Sequence, residues 1–207
     1  MKVLFLTNNE VSNSLIKWLS EREDVTVWQE KLTPDDIQTM KPDLVVSYSY
    51  RHIIKQNVLD TLPDRFINLH IALLPYNRGA DPNAWSILEG TPKGCTIHII
   101  DSGIDTGPIL FQKEVQFNYT TDTLGGSYGF LQQQMQDLFM KNWDAIRNGS
   151  VIPAKQTSNG TYHHSREFAA IKDCLLGVEG WGVNIALFQD RYHLGTAVQN
   201  SATVAAG

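Results

Sequence analysis

The chain has 207 residues, with 17 Lys and Arg against 22 Asp and Glu and a net charge of −5. That balance lacks the basic footprint of a nucleic-acid-binding protein, and no apolar run approaches the ~20 residues of a membrane span. Hydrophobic residues make up 42% and charged residues 19%, so the chain can bury a core.

Length and pattern divide the chain into a main domain over 1–150, a small hairpin and helix extension over 151–192, and a tail over 193–207 that reads as poorly ordered. The start, Met1–Asn8, has no h-region and reads as a first strand, so a cytoplasmic protein without membrane contact is expected. The two cysteines, Cys95 and Cys174, cannot build a disulfide framework. Sequons at Asn118, Asn148 and Asn159 are then chance occurrences.

Strand and helix signals alternate through the first hundred residues. Lys2–Thr7 is β-rich. Asn13–Glu21 carries Leu15, Ile16 and Leu19 at helical spacing behind a Ser12 or Asn13 cap. Val25–Gln29 reads as a strand, a short helix starts near Pro34, and Asp43–Ser47 is a buried strand. Ile54–Leu62 reads as a helix and Phe66–His70 as a strand. This alternation argues for βαβ units, hence an α/β fold: a Rossmann-like, mostly parallel sheet with helices on both faces.

A turn-rich segment, Leu74–Asn83, follows, and Trp85–Glu89 reads as a helix stopped by Gly90. Cys95–Ile100 alternates strictly, with Cys95, Ile97 and Ile99 on one face and Thr96 and His98 on the other. Asp101–Pro108 is a glycine-bearing loop and Ile109–Phe117 another strand. Thr120–Arg147 is the strongest helical pattern: Leu124, Tyr128, Leu131, Met135, Leu138, Phe139, Trp143 and Ile146 form a core stripe ended by Gly149. Gln156–His163 is mixed and Ser165–Leu176 reads as a helix.

Leu6–Val11 contains no glycine, so the dinucleotide fingerprint is missing. Asn68 and His70, two apart on a strand, share a face at its C-terminal end, where α/β sheets bind ligands. His transfers protons near neutral pH, and Asn donates to a developing oxyanion. Asp105, in the loop after a later strand, would orient His70, or would be a turn residue beside Gly107. His163-His164 lacks metal-ligand spacing, and no metal is expected.

Asn68-Leu69-His70 followed by Leu74-Pro75 and Asn77-Arg78-Gly79, then Gly94-x-Thr96-x-His98 and Asp101-x-Gly103-x-Asp105-x-Gly107, resembles the formyltransferases that use N10-formyltetrahydrofolate. The likeness covers most of residues 1–150 and is densest from Phe66 to Leu110. It implies Asn68, His70 and Asp105 as the catalytic residues and N10-formyltetrahydrofolate as co-substrate. It also implies a folate site built on Tyr50, Arg51, His52 and Ile53 and on Ile100, Asp101, Ser102 and Gly103.

Members of that family differ in the amine they formylate. Methionyl-tRNA enzymes carry a second C-terminal domain and positive surface, against which stand an acidic chain and only residues 151–207 beyond Ser150. Glycinamide ribonucleotide enzymes use a glycine-containing loop after the first strand, which Thr7-Asn8-Asn9 does not supply. The stretch Pro75–Ser86, with Gly160-Thr161-Tyr162-His163 and Arg166, resembles the sugar N-formyltransferases.

That likeness implies a nucleotide-linked, dTDP-type amino-dideoxy sugar as acceptor, contacted by Tyr76, Asn77, Arg78, Gly79, Asp81, Asn83 and Trp85. Arg78 is either a pyrophosphate contact or a loop salt bridge, and Trp85 a sugar contact or a core anchor. Phe168, Ile171, Leu175, Trp181, Ile185, Leu187 and Phe188 either pair two copies into a homodimer or cover the main domain. The alternatives are a glycinamide ribonucleotide formyltransferase and a folate- or nucleotide-binding homologue without turnover.

Overall fold

Short β-branched strands alternating with amphipathic helices build one six-stranded sheet in the order β2-β1-β3-β4-β6-β7. The strands are β1 (Lys2–Leu6), β2 (Asp24–Trp28), β3 (Leu44–Tyr48), β4 (Phe66–His70), β6 (Lys93–Ile99) and β7 (Ile109–Val115). The computed structural model describes residues 1–157 and 160–205, with side chains as far as 195. The Asn159 sequon and residues 206–207 of the expected tail lie outside the described residues.

The first four strands in this order are parallel, with α1 (Asn13–Ser20), α2 (Pro34–Met40) and α3 (Gln56–Leu59) in the connections. Beyond β4 the sheet changes character: β6 runs antiparallel to β4, and β7 antiparallel to β6. The sheet is therefore mixed, and its parallel part ends at β4. The α3 helix is one turn rather than the whole of Ile54–Leu62, because Lys55 and Asp60 bound it in the structure.

One sheet face packs on α1 and α5 (Leu124–Asn148) through Val3, Phe5, Ile67, Leu69, Cys95 and Ile97 against Leu131, Met135, Phe139 and Trp143. The other packs on α2 and α3 through Leu4, Leu6, Val45 and Phe66. Thr123 caps α5, its hydroxyl accepting from Gly126 N–H, and left-handed Gly149 closes it. The expected core stripe of α5 is buried except for Tyr128, which is 37% exposed.

The C-terminal segment forms no hairpin among its described residues. Its two-residue strand β8 (Tyr162–His163) pairs in parallel with β5 (Arg78–Gly79), so it is attached to the main domain rather than folded on itself. Phe168 and Leu175 of α6 (Ser165–Leu176) and Ile185 and Phe188 of α7 (Ile185–Ala205) bury against Ala84, Trp85, Ile87 and Leu88 of α4 (Pro82–Leu88).

These apolar residues mainly cover the main domain, although Trp181 and Leu187 stay 57% and 40% exposed. Residues 193–205, expected as a loose tail, continue α7. Once Ile185 and Phe188 anchor its start, each further residue adds a backbone bond without a new nucleation cost.

Candidate active site

In the antiparallel β4–β6 pair Asn68 lies opposite His98 and His70 opposite Thr96. Directly opposed residues share a face. Asn68, His70 and His98 therefore project together where β3 and β4 end, while Ile67, Leu69, Cys95 and Ile97 enter the core behind them.

The β6–β7 connection brings Asp105 to these three. Asp101 Oδ1 accepts from Gly103 N–H (3.0 Å) and from the Thr106 hydroxyl (2.6 Å), which fixes the first half of the loop. Asp105 itself is left-handed (φ 54°). The loop closes at Gly107, where a Cβ would stand 1.8 Å from the Ile99 carbonyl oxygen, so no side chain is accommodated there. Gln156, from the C-terminal segment, donates through Nε2 to the carbonyls of Asp105 (2.8 Å) and Gly107 (2.9 Å), clamping the turn from outside.

The Asp105 carboxylate has four neighbours. Oδ1 accepts from Asn68 Nδ2 (3.1 Å) and lies 3.3 Å from His98 Nε2. Oδ2 accepts from Gly79 N–H (2.9 Å) and lies 3.7 Å from His70 Nδ1. Burial acts to raise the carboxyl's pKa. The positive charge of His70, the hydrogen bond and charge of His98 and the Gly79 N–H outweigh burial and hold the carboxyl well below the usual carboxylate range. Both ring nitrogens of His70 face acceptors, because Nε2 donates to the Asn77 carbonyl at 2.9 Å. His98 Nδ1 donates to the Ile99 carbonyl at 2.8 Å.

This quartet opens into a cleft of about 660 Å³, a size suited to small-molecule ligands. Every residue of the expected folate set lines it: Tyr50, Arg51, His52 and Ile53 on one side, Ile100, Asp101, Ser102 and Gly103 on the other. Asn8 holds the first of these loops, accepting from Arg51 N–H (3.0 Å) and donating to the Gln29 carbonyl (2.9 Å). The Tyr50 hydroxyl donates to the Glu30 carbonyl and accepts from Leu32 N–H (3.1 Å), so it is turned toward the strand-end loops.

The expected acceptor-sugar set divides. Gly79 and Asp81 line the cleft, whereas Tyr76, Asn77, Arg78, Asn83 and Trp85 do not. Asn77 is fully buried, its amide bonded to Thr91 and Thr161 hydroxyls, because it organises the turn that receives His70. Asn83 is buried against the Leu124 carbonyl and the Ser127 hydroxyl. Trp85 is 5% exposed and stacks on His163 with ring centroids 4.0 Å apart, so it is a core anchor. Arg78 is half-buried, and its Nε donates to the Thr161 carbonyl at 3.5 Å.

Sequence reasoning missed His98 as a member of the constellation. The signal was present, since strict alternation over Cys95–Ile100 places His98 on the face away from the core. It also missed Tyr128 and Gln132 of α5, which line the cleft, as does Tyr162–Ser165, of which Tyr162 and His163 belong to the sugar N-formyltransferase likeness. Gln132 is held there by the Tyr48 hydroxyl, which donates to its Oε1.

An antiparallel strand pair thus carries Asn and two His around one buried Asp where the parallel part of a mixed α/β sheet ends, an arrangement suited to proton and group transfer and unlike a dinucleotide site. The chain matches the formyl transferase family over residues 19–163 and belongs to that family.

Among solved structures it is similar to the formyltransferase PseJ from Anoxybacillus kamchatkensis in complex with UDP-4,6-dideoxy-4-formamido-L-AltNAc and tetrahydrofolate. That likeness has 39% identity and a TM-score of 0.83, covering 91% of this chain and 97% of that one. Among curated relatives, the dTDP-4-amino-4,6-dideoxyglucose formyltransferase of Mycobacterium bovis is 28% identical over 193 residues, 87% of this chain and 81% of its own. The methionyl-tRNA formyltransferase of Clostridium beijerinckii is 30% identical over 161 residues, 74% of this chain and 52% of its own. The chain thus spans about half the length of that methionyl-tRNA relative.

Proposed function

We propose that this chain is a cytoplasmic N-formyltransferase that moves the formyl group of N10-formyltetrahydrofolate onto the 4-amino group of a pyrimidine-nucleotide-linked 4-amino-4,6-dideoxy sugar. The observation that carries the reading is the Asn68–His70–His98–Asp105 constellation at the base of a cleft flanked by the two loops implied to hold folate. The sugar class is supported by PseJ, solved in complex with a UDP-linked 4-formamido dideoxy sugar, and by the Mycobacterium relative, named for a dTDP-linked 4-amino dideoxy sugar. One carries UDP and the other dTDP, so the expected dTDP widens to a pyrimidine nucleoside diphosphate.

The residues present fit a folate. Ile53 and Ile104, 72% and 41% exposed, offer apolar surface at the cleft from the two flanking loops, as a flat pterin requires. The folate supplies an electrophilic formyl carbon. Asn68 Nδ2 lies 3.1 Å from Asp105 Oδ1 and 3.3 Å from His98 Nε2, and the N–H on the His98 side is the one that would turn to the oxyanion that develops as the amine adds. His70, its Nε2 tied to the Asn77 carbonyl, moves the proton through Nδ1, which lies 3.7 Å from Asp105 Oδ2. The new C–N bond forms to the sugar amine, the bond to N10 breaks, and the proton lost by the amine ends on N10.

A phosphate seated on the loop after β1, as a ribonucleotide acceptor would need, is not favoured. The amides of Asn8, Asn9, Val11 and Ser12 are donated to Ser49 O, Thr7 Oγ1, Asn9 Oδ1 and Asn9 O respectively. The test is turnover by mass spectrometry with N10-formyltetrahydrofolate and UDP- or dTDP-linked 3- and 4-amino sugars, alongside glycinamide ribonucleotide. A 28-Da gain on a 4-amino sugar (about the mass of CO, the net addition in the proposed step) supports the reading. A gain on glycinamide ribonucleotide alone overturns it.

A further inference from the structure

We infer that Asp81 binds the acceptor's amino group in its ammonium form and so separates the amino sugar from its formylated product; this rests on the reading above. Three carboxylates line the cleft among the described residues: Asp81, Asp101 and Asp105. Asp105 is fully engaged by Asn68, His98, Gly79 and His70, and Asp101 is committed to its own turn.

Asp81 is different. It directly precedes α4, a position where an Asp side chain ordinarily caps the helix, yet its carboxylate makes no capping bond. Its backbone is left-handed, with φ 52° and ψ 41°, a costly conformation for a residue with a side chain, although Asp and Asn bear it best. The backbone serves α4, since Trp85 N–H donates to the Asp81 carbonyl at 3.1 Å. The side chain is left to the cleft.

Burial pushes the Asp81 carboxyl pKa up, and Lys172 of α6 acts against that. Among the described residues no hydrogen-bond donor reaches this half-buried anion, which lacks what such groups normally carry. The ligand chemistry that supplies both charge and donors is an ammonium. The acceptor brings one, as an unreacted amine is largely protonated near neutral pH. The ammonium releases one proton to solvent before it can attack, and formylation of the resulting amine, with its second proton passing to N10, leaves a neutral amide. The carboxylate therefore favours the substrate and releases the product. Its place is consistent, because Gly79, two residues earlier, donates to the catalytic Asp105.

The test is calorimetric titration of the whole chain, without folate, with a UDP-linked 4-amino-4,6-dideoxy sugar and with its N-formyl derivative. The wild type is expected to bind the amino form at least tenfold more tightly than the formyl form. Asp81→Asn, whose amide tolerates the same left-handed backbone, is expected to bring the two within twofold. The folate affinity should stay unchanged.

The inference is overturned if Asp81→Asn keeps the tenfold preference. It is also overturned if Asp81→Asn weakens both sugars equally, which would assign Asp81 to a hydroxyl or to the loop. Wild type that formylates the sugar yet shows no preference between the two forms overturns this inference alone. Wild type that neither binds nor formylates any amino sugar overturns the parent reading with it.

Discussion

The backbone N–H of Gly79 stands 2.9 Å from Oδ2 of Asp105, joining the turn before α4 to the loop before β7 across the cleft. Through this contact the two-residue β5–β8 ladder is tied to the candidate site, since Gly79 also pairs with His163. Gly79 is left-handed (φ 88°), and a Cβ there would lie 2.3 Å from the His163 carbonyl oxygen. Gly79→Ala should cost about 1–3 kcal/mol of stability and lower kcat, measured by urea unfolding and by turnover. An unaltered unfolding midpoint would contradict the ladder's role.

His70→Asn should lower kcat by about 10²–10⁴-fold and leave folate affinity within a few-fold, as expected for a positioned proton-transfer group. Single-turnover kinetics with a fluorescence titration of folate separates the two effects.

Asp105→Asn should be as severe in kcat, and its stability cost should depend on pH. The folded carboxyl sits below its unfolded value of about 3.9, so its contribution is complete above that pH. It is lost only as pH falls through the lower folded value. Chemical unfolding should therefore show the variant less stable than wild type at pH 6, with the gap closing under strongly acidic conditions.

Gln156→Leu removes both bonds that clamp the Asp105 turn. Each neutral hydrogen bond contributes about 0.5–1.5 kcal/mol, so a loss of roughly 1–3 kcal/mol is expected. Because the displaced element carries Asp105, kcat should fall while the KM of the acceptor stays near wild type.

Trp85→Ala separates a core anchor from a sugar contact. Removing this ring from the α4–α6–α7 cluster should cost about 3–5 kcal/mol. In the folded fraction the acceptor KM should be unchanged. A large KM effect with little loss of stability would restore the substrate-contact reading.

Much of the sheet was legible because period and breakers agree locally. Phe66–His70 and Ser165–Leu176 match the structural elements residue for residue. Strand direction was not, since the alternation of Cys95–Ile100 has the same period in parallel and antiparallel pairs. The β5–β8 pairing left no trace either, because two residues carry no period.

That Asn68 and His70 share one face at the cleft was readable from their spacing on the strand. His98 was available by the same alternation but needs the antiparallel register to be placed opposite Asn68. Asn77 and Asn83, which the likeness to sugar N-formyltransferases implied as acceptor contacts, are buried in the structure. Their partners, Thr161 and Ser127, lie far away in sequence.

Formyl transfer to an amino sugar is the activity proposed for this cleft. Its most direct test is mass-spectrometric turnover of a UDP-linked 4-amino-4,6-dideoxy sugar with N10-formyltetrahydrofolate, run in parallel with wild type and His70→Asn. Wild type is expected to give a formylated sugar and stoichiometric tetrahydrofolate, and the variant at least a hundredfold slower product formation. Wild type that binds folate but formylates none of the amino sugars, or a His70→Asn variant as fast as wild type, would contradict it.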